Sequence, residues 1–240
     1  MPLTGVSTNS TWRHRSIQLV SVLTFSVAVA SPRPWVVGAV EVCNSWIAGL
    51  ESDMSSMGYA IGAQNYVSVV ASSTVCPPGS GRSNVVFLLG TSPTATTITP
   101  TQDPADNAGE TRRAICNRTQ TFLGPLAGCA THLTKNGGSY ATLQASQVQV
   151  QVESQHPSMR KFVVGDFNLR PPPPPAGFSA VPATWYTDYW EDPTNGATRI
   201  TGVKNDFAFG RKTYLNSTRS STITPVASSD HYYFVMLFHS

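Results

Sequence analysis

Charge is scarce in this chain. Asp, Glu, Lys and Arg together make up only 12 % of its 240 residues. The 16 basic residues exceed the 13 acidic ones by three, and no long basic stripe gathers them. Tight electrostatic binding of a nucleic-acid duplex therefore has no basis in composition, although a phosphate-bearing substrate is permitted. Also missing are a polar linker between two folding segments, an internal repeat, and an apolar run long enough to span a membrane comfortably. One α/β domain of this size buries an ordinary core. What the chain has instead is Ser, Thr, Gly and Pro, as in many secreted proteins with polar loops between β-rich segments. Few charges and frequent turn formers argue against a helical bundle.

None of the four cysteines, Cys43, Cys76, Cys116 and Cys129, belongs to a CxxC pair. No histidine stands at metal-ligand spacing from them, which excludes a zinc site. An even count fits two disulfides in an oxidising compartment, against the alternative of four buried thiols. Cys116 and Cys129 flank a short polar loop between two apolar runs. That layout suits a cross-strand bridge on a hairpin, with Cys43 and Cys76 as the remaining pair.

Residues 1–30 read in two ways. A basic flank, the apolar run Ile17 to Ala30 and the small residues Ala28-Val29-Ala30-Ser31 have the layout of a secretory signal. The same run also reads as a first core helix, the preferred reading, leading through Pro32 and Pro34 to a strand. Residues 31–240 then form the single domain.

Along that domain, Trp35 to Val42 is a short apolar strand carrying a lone carboxylate, Glu41. Asn44 to Met57 places Trp46, Ile47, Leu50, Met54 and Met57 at helical spacing, and Gly58 stops it. Tyr66 to Ala71 and Asn84 to Leu89 read as strands, Ser92 to Gly109 as an irregular polar loop. Arg113 to Thr119 and Leu126 to Leu133 form the expected hairpin, and Tyr140 to Ser154 fits a helix, although its valines would also allow a strand. Phe162 to Val164 is a buried strand, and the proline run Pro171 to Pro175 must be an extended surface segment. Further strands are expected at Arg199 to Val203, Asp206 to Phe209 and Tyr232 to Phe238. The aromatics from Trp185 to Trp190 read as packing, with stacking on a base as the alternative.

Each polar candidate sits where an apolar run ends: Glu41, His132, Asp166, Asn168, Asp206, Asp230 and His231. Strand ends on one rim of a sheet are where distant side chains converge. Hard oxygen donors with no cysteine nearby suit Mg²⁺ (or Mn²⁺), which takes one or two carboxylates together with water and substrate phosphate. Each motif alone has a plainer reading. Gly165-Asp166-Phe167-Asn168 is commonly a strand-to-turn junction, and Ser229-Asp230-His231 could be a turn before an apolar strand. Asn9, Asn117 and Asn216 open glycosylation sequons, which a Ser/Thr-rich chain produces by chance.

Taken in order, Glu41-Val42, Thr131-His132-Leu133, Gly165-Asp166-Phe167-Asn168, Lys204-Asn205-Asp206-Phe207 and Ser229-Asp230-His231 resemble the motif series of the endonuclease/exonuclease/phosphatase superfamily. The resemblance runs from about Trp35 to the C-terminus and is nearest to the small secreted, disulfide-containing, DNase I-like branch. It implies a four-layer α/β sandwich of two packed, mainly antiparallel sheets flanked by helices. It also implies metal-assisted hydrolysis of a phosphate ester by a monomer, on nucleic acid or on a phosphorylated small molecule or lipid. By the same resemblance, Glu41 and Asp230 would hold the metal, Asp166 would orient or deprotonate the attacking water, and Asn168 would hold a phosphate oxygen. His231, oriented by Asp206, and His132, braced by Glu110, would face the phosphate.

The chain departs from the family pattern at two places. Val40 stands before Glu41 where the family has Gln, and no segment was matched to the family's first strand, which delivers an Asn; Pro2 or Asn9 would stand at that position. These departures carry the competing expectation, a catalytically impaired member acting as a binding or interaction module.

Overall fold

A strand buried on both faces needs apolar residues at nearly every position, and the stretches 36–40, 85–89 and 162–164 have that character. The computed structural model describes residues 18–24, 36–62, 64–71, 73, 76–89, 91–106, 109–121, 124–135, 138–191, 197–198, 201–215, 219–224 and 233–238. In chain order the first strands are β1 (Gln18–Thr24), β2 (Val36–Cys43), β3 (Tyr59–Ala60), β4 (Tyr66–Val70) and β5 (Arg82–Leu89). Next come β6 (Thr91–Ile98), β7 (Ala114–Thr121), β8 (Gly124–His132) and β9 (Arg160–Asp166). The last are β10 (Tyr189–Glu191), β11 (Asp206–Arg211), β12 (Arg219–Thr224) and β13 (Tyr233–Phe238). Helix α1 (Ile47–Ser56) follows a 3-10 turn, Asn44–Trp46; α2 (Gly138–Gln155) joins β8 to β9, and α3 (Ala183–Asp188) precedes β10.

Seven strands form one sheet in the order β12-β13-β1-β2-β5-β3, with β4 also on β5. Six form the other, β10-β11-β9-β8-β7-β6. Pairing is antiparallel except at β1–β13 and β8–β9. Alternation along the central strands divides the core. Val36, Val86 and Leu88 face Ile115, Ala130, Phe162 and Val164 of the other sheet. Val37, Ala39, Val85 and Phe87 pack instead with Leu50 and Met54 of α1. On the far side of the second sheet, Val163, Phe207 and Phe209 meet Ala141, Ala145, Val148 and Val152 of α2 and Trp185 of α3. The result is helix, sheet, sheet, helix: the expected four layers. Each large side chain buried this way contributes roughly 1.5–3 kcal/mol.

Two glycines set how closely the sheets approach. A Cβ on Gly38 would lie 2.2 Å from Val164 Cγ2, and one on Gly128 would lie 2.5 Å from Leu88 Cδ2.

Three local expectations are corrected. Within the run whose preferred reading is a first core helix, residues 18–24 instead form β1, paired with β2 on one side and β13 on the other. The alternating Leu19-Val20-Ser21-Val22-Leu23-Thr24 favours extended backbone, and the two neighbours satisfy its hydrogen bonds. The segment read as a loop from Ser92 begins as β6, the outermost strand of its sheet. Its threonines suit a strand, and an edge position tolerates Pro93. Residues 201–203 form a turn and bend rather than a strand, closed by a 3.0 Å bond from Thr198 N–H to the Val203 carbonyl. Arg199 and Ile200 lie outside the described residues. No described helix is long and apolar enough to cross a membrane.

Candidate active site

Backbone register alone assembles half of the site. His132 ends β8 opposite Asp166 at the end of β9, and Asp166 is in turn opposite Asp206 at the start of β11. The three side chains, all nearly completely buried, are therefore neighbours across one rim of the second sheet. Gly165 makes this possible. Its φ of +147° lies outside the usual range of L side chains, and a Cβ there would lie 1.8 Å from the Thr131 carbonyl oxygen. Only glycine lets β9 approach β8 so closely one residue before the carboxylate.

Beyond Asp166 the chain turns back on itself. Asn168 adopts φ +51°, a left-handed conformation that asparagine tolerates. Its N–H donates to Asp166 Oδ1 at 2.8 Å, and its Nδ2 donates to the Leu133 carbonyl at 3.0 Å. Asn205 Nδ2 lies 3.4 Å from Asn168 Oδ1, and Asn205 Oδ1 accepts from Arg170. The backbone N–H groups of Asn205 and Asp206 both donate to Thr198 Oγ1, at 3.0 Å each. Asp166 and Asn168 are thus held by backbone and amide partners.

Glu41 comes from the first sheet, where the β2–β5 register shifts between Ala39 and Val42. Glu41 has φ +57° at this bulge, a conformation unfavourable for a residue with a Cβ. Around it charges alternate. Arg82, which opens β5, forms an ion pair with Glu41 and lies 3.8 Å from Glu110. Arg112 is fully buried, 2.8 Å from Glu110, and bonds both oxygens of Asp106, at 2.9 and 3.1 Å. Thr134 Oγ1 joins Asp106 to Asp103, at 2.7 and 3.0 Å.

His132 connects this chain of charges to Asp166. Arg112 Nη1 is 3.2 Å from His132 Nδ1, and a guanidinium can only donate, so Nδ1 presents its lone pair. The ring proton is then on Nε2, 3.7 Å from Asp166 Oδ2. Glu41 Oε1 lies 3.6 Å from Nδ1. Glu110 was expected to brace this histidine; Arg112 stands in that role and Glu110 holds Arg112.

Glu41, Glu110 and His132 place one ligand atom each within 4.8 Å of one another. Two carboxylates and an imidazole beside Asp166 form a donor set that fits a hard divalent cation. Asp230 and His231, the other expected metal and phosphate contacts, lie outside the described residues, as do Pro2 and Asn9.

Several other candidates are accounted for by packing. Trp185 and Tyr189 are buried against Phe167, Phe207 and Phe209, so they offer no stacking surface for a base. Asn117 is fully buried, its Nδ2 donating to Asn65 Oδ1 and the Val86 carbonyl, and cannot accept a glycan in the folded chain. The cysteines pair as Cys43–Cys76 and Cys116–Cys129, the latter bridging directly opposed residues of β7 and β8. His156, buried near this bridge and 3.3 Å from Thr96 Oγ1, has its pKa lowered to about 4. Burial is the main cause, and the charges of Arg118 and Lys161 add to it.

The sequence offers no motif for Arg82 or Arg112, gives Asn205 no role of its own within Lys204-Asn205-Asp206-Phe207, and does not mark residues 18–24 as a strand. A strand with no asparagine hid β1: none occurs between residues 18 and 43. The arginines carry no motif, and only the positions of their partners expose them.

The Endonuclease/Exonuclease/phosphatase family pattern matches residues 8–231, and the chain belongs to that family. Among solved structures, an endonuclease/exonuclease/phosphatase from Beutenbergia cavernae is 18 % identical at TM-score 0.62, covering 92 % of this chain and 71 % of that one. The human Nocturnin catalytic domain with bound sulfate is 14 % identical at TM-score 0.58, covering 96 % and 100 %. A mannosyl-6-phosphatase from Bacteroides thetaiotaomicron is 13 % identical at TM-score 0.51, covering 82 % of each chain. At such identities the likeness is one of fold. No curated protein matches the chain.

Proposed function

We propose that this chain is a divalent-metal-dependent phosphoesterase. The observation that carries the reading is the convergence of Glu41, His132, Asp166 and Asp206, from four separate strands, on one rim of the sandwich. Glu41 and Asp230 would hold Mg²⁺ or Mn²⁺, with Glu110 and His132 within reach of the same ion. The cation would supply charge neutralisation at the phosphoryl oxygens.

The chain's own groups do the rest. Asp166, held through Oδ1 by the Asn168 N–H, orients a water and takes its proton as the new P–O bond forms and the ester P–O bond breaks. His132, with its proton on Nε2, and His231, which Asp206 would orient, would donate to phosphate oxygens. Asn168 fixes one of those oxygens through its amide. Positioned donors of this kind are worth about 3 kcal/mol each in the transition state.

The substrate class is a phosphate ester: nucleic acid, phosphorylated sugar or phospholipid headgroup, with His132 favouring a phosphodiester. Two disulfides fit a secreted or extracytoplasmic monomer. The test is turnover of plasmid DNA, a phosphoinositide panel and bis-p-nitrophenyl phosphate in Mg²⁺ or EDTA. Turnover that ignores EDTA would contradict the reading.

Two features favour a second reading, a catalytically impaired member acting as a binding module. Arg82 is ion-paired to Glu41, and β1 carries no asparagine. Substrate binding without turnover in that same panel would select it.

A further inference from the structure

Arg82 has no part in the motif series, yet it holds the carboxylate on which the site depends. Its Nη1 pairs with Glu41 Oε1, while Nη2 points toward Glu110 Oε2, 3.8 Å away. The guanidinium thus lies between the two carboxylates that also appear in the candidate metal cluster. Its backbone cannot drift, because Arg82 is in register with Cys43 on one side and Val70 on the other, and Cys43 is fixed by its disulfide to Cys76. Glu41 is equally constrained by the bulge and its positive φ. Only the side-chain torsions of Arg82 are left to change.

Those torsions have reason to change. The side chains of Arg82 and Glu41 keep 18 % and 25 % of their surface exposed, so water and ions reach the pair. The Arg82 Nε, although buried, has no hydrogen-bond acceptor among the described residues. The pose on Glu41 is therefore incompletely satisfied. Glu110, the other carboxylate near the guanidinium, is already paired with Arg112, so it does not hold Arg82 firmly in place. An arginine cannot relieve the conflict by losing its proton. Either it or a divalent cation can neutralise Glu41, and the two charges repel if both try.

We propose that Arg82 is an internal counter-cation that competes with the divalent ion for Glu41 and releases that carboxylate when the ion binds. The inference rests on the reading of Glu41 as a metal ligand. It makes metal affinity a difference between two occupants of one carboxylate, so removing the guanidinium strengthens metal binding. A merely structural ion pair would do the reverse, since losing it would loosen Glu41.

Calorimetric titration of Mn²⁺ into the full-length chain reads this directly, with no substrate present. Arg82→Gln is expected to bind Mn²⁺ about tenfold more tightly than the unsubstituted chain, equivalent to about 1.4 kcal/mol. Arg82→Lys, which keeps a charge and folds as the conservative variant, is expected between the two. Arg113→Gln removes a nearby positive charge that donates to the Ser68 carbonyl instead, and is expected to leave affinity unchanged. Equal or weaker binding in both Arg82 variants overturns the proposal, as does an equal gain in Arg113→Gln. Absence of Mn²⁺ binding in every protein overturns the metal reading of Glu41 as well, which separates the two failures.

Discussion

His132 and Asp166 are direct register partners on the parallel pair β8–β9, with Nε2 and Oδ2 3.7 Å apart. Parallel neighbours need a crossover, and α2 supplies it, burying Ala141, Ala145, Val148 and Val152 against the sheet. The packing of that helix therefore supports the register that brings these two side chains together. Asp206 joins them from the other side of β9 by the same logic of register. Strand order places these three side chains, and among the described residues loops add Asn168, Glu110 and Arg112.

The close approach at Gly165 should be intolerant of any side chain. Gly165→Ala would place a methyl 1.8 Å from the Thr131 carbonyl oxygen, at a φ that alanine disfavours. The expected cost is at least about 3 kcal/mol, read as a large drop in Tm by circular dichroism. An unchanged Tm would mean that β8 and β9 are not held as described.

Residues 18–24 sit between β2 and β13, so a chain beginning at Ser31 loses an interior strand of the first sheet. Such a truncation is expected to be insoluble or to unfold without cooperativity. If it melts like the full chain, residues 1–30 are a dispensable leader.

His156 should make the fold sensitive to acid. Its folded pKa, about 4, lies below the ordinary 6.5, so the unfolded chain takes up a proton before the folded one does. Its contribution is complete above pH 6.5, falls as pH drops through that window, and levels off below about 4. The slope from this one group is at most about 1.4 kcal/mol per pH unit. Arg118 and Lys161 raise the cost of protonation. His156→Gln is expected to lose less Tm than the unsubstituted chain between pH 7 and 4.5. Parallel curves would remove His156 as a cause.

The sandwich was legible in the sequence because its central strands are buried on both faces and each contains a short apolar stretch. The Gln and Val repeat from Tyr140 pointed to α2 while its valines also allowed a strand, and the hairpin around Cys116 and Cys129 followed from its two apolar arms. Edge and first strands were harder. The polar, threonine-rich β6 has an exposed side and looks like a loop, while β1 has the length and composition of a leader. At the candidate site, residues carried by motifs could be picked out from the sequence, and the arginines beside them could not. Arg82 and Arg112 act through partners 41 and 20 residues away, Glu41 and His132, and no spacing rule links them.

Hydrolysis of bis-p-nitrophenyl phosphate by the chain and its Asp166→Asn variant, in Mn²⁺ and in EDTA, tests the account most directly. Asn keeps the shape and an acceptor for the Asn168 N–H but cannot take the water's proton. The expected result is turnover with Mn²⁺, none in EDTA, and at least about a hundredfold loss in the variant at unchanged Tm. Turnover that survives both EDTA and Asp166→Asn would contradict the assignment of this rim as a metal-dependent phosphoesterase site.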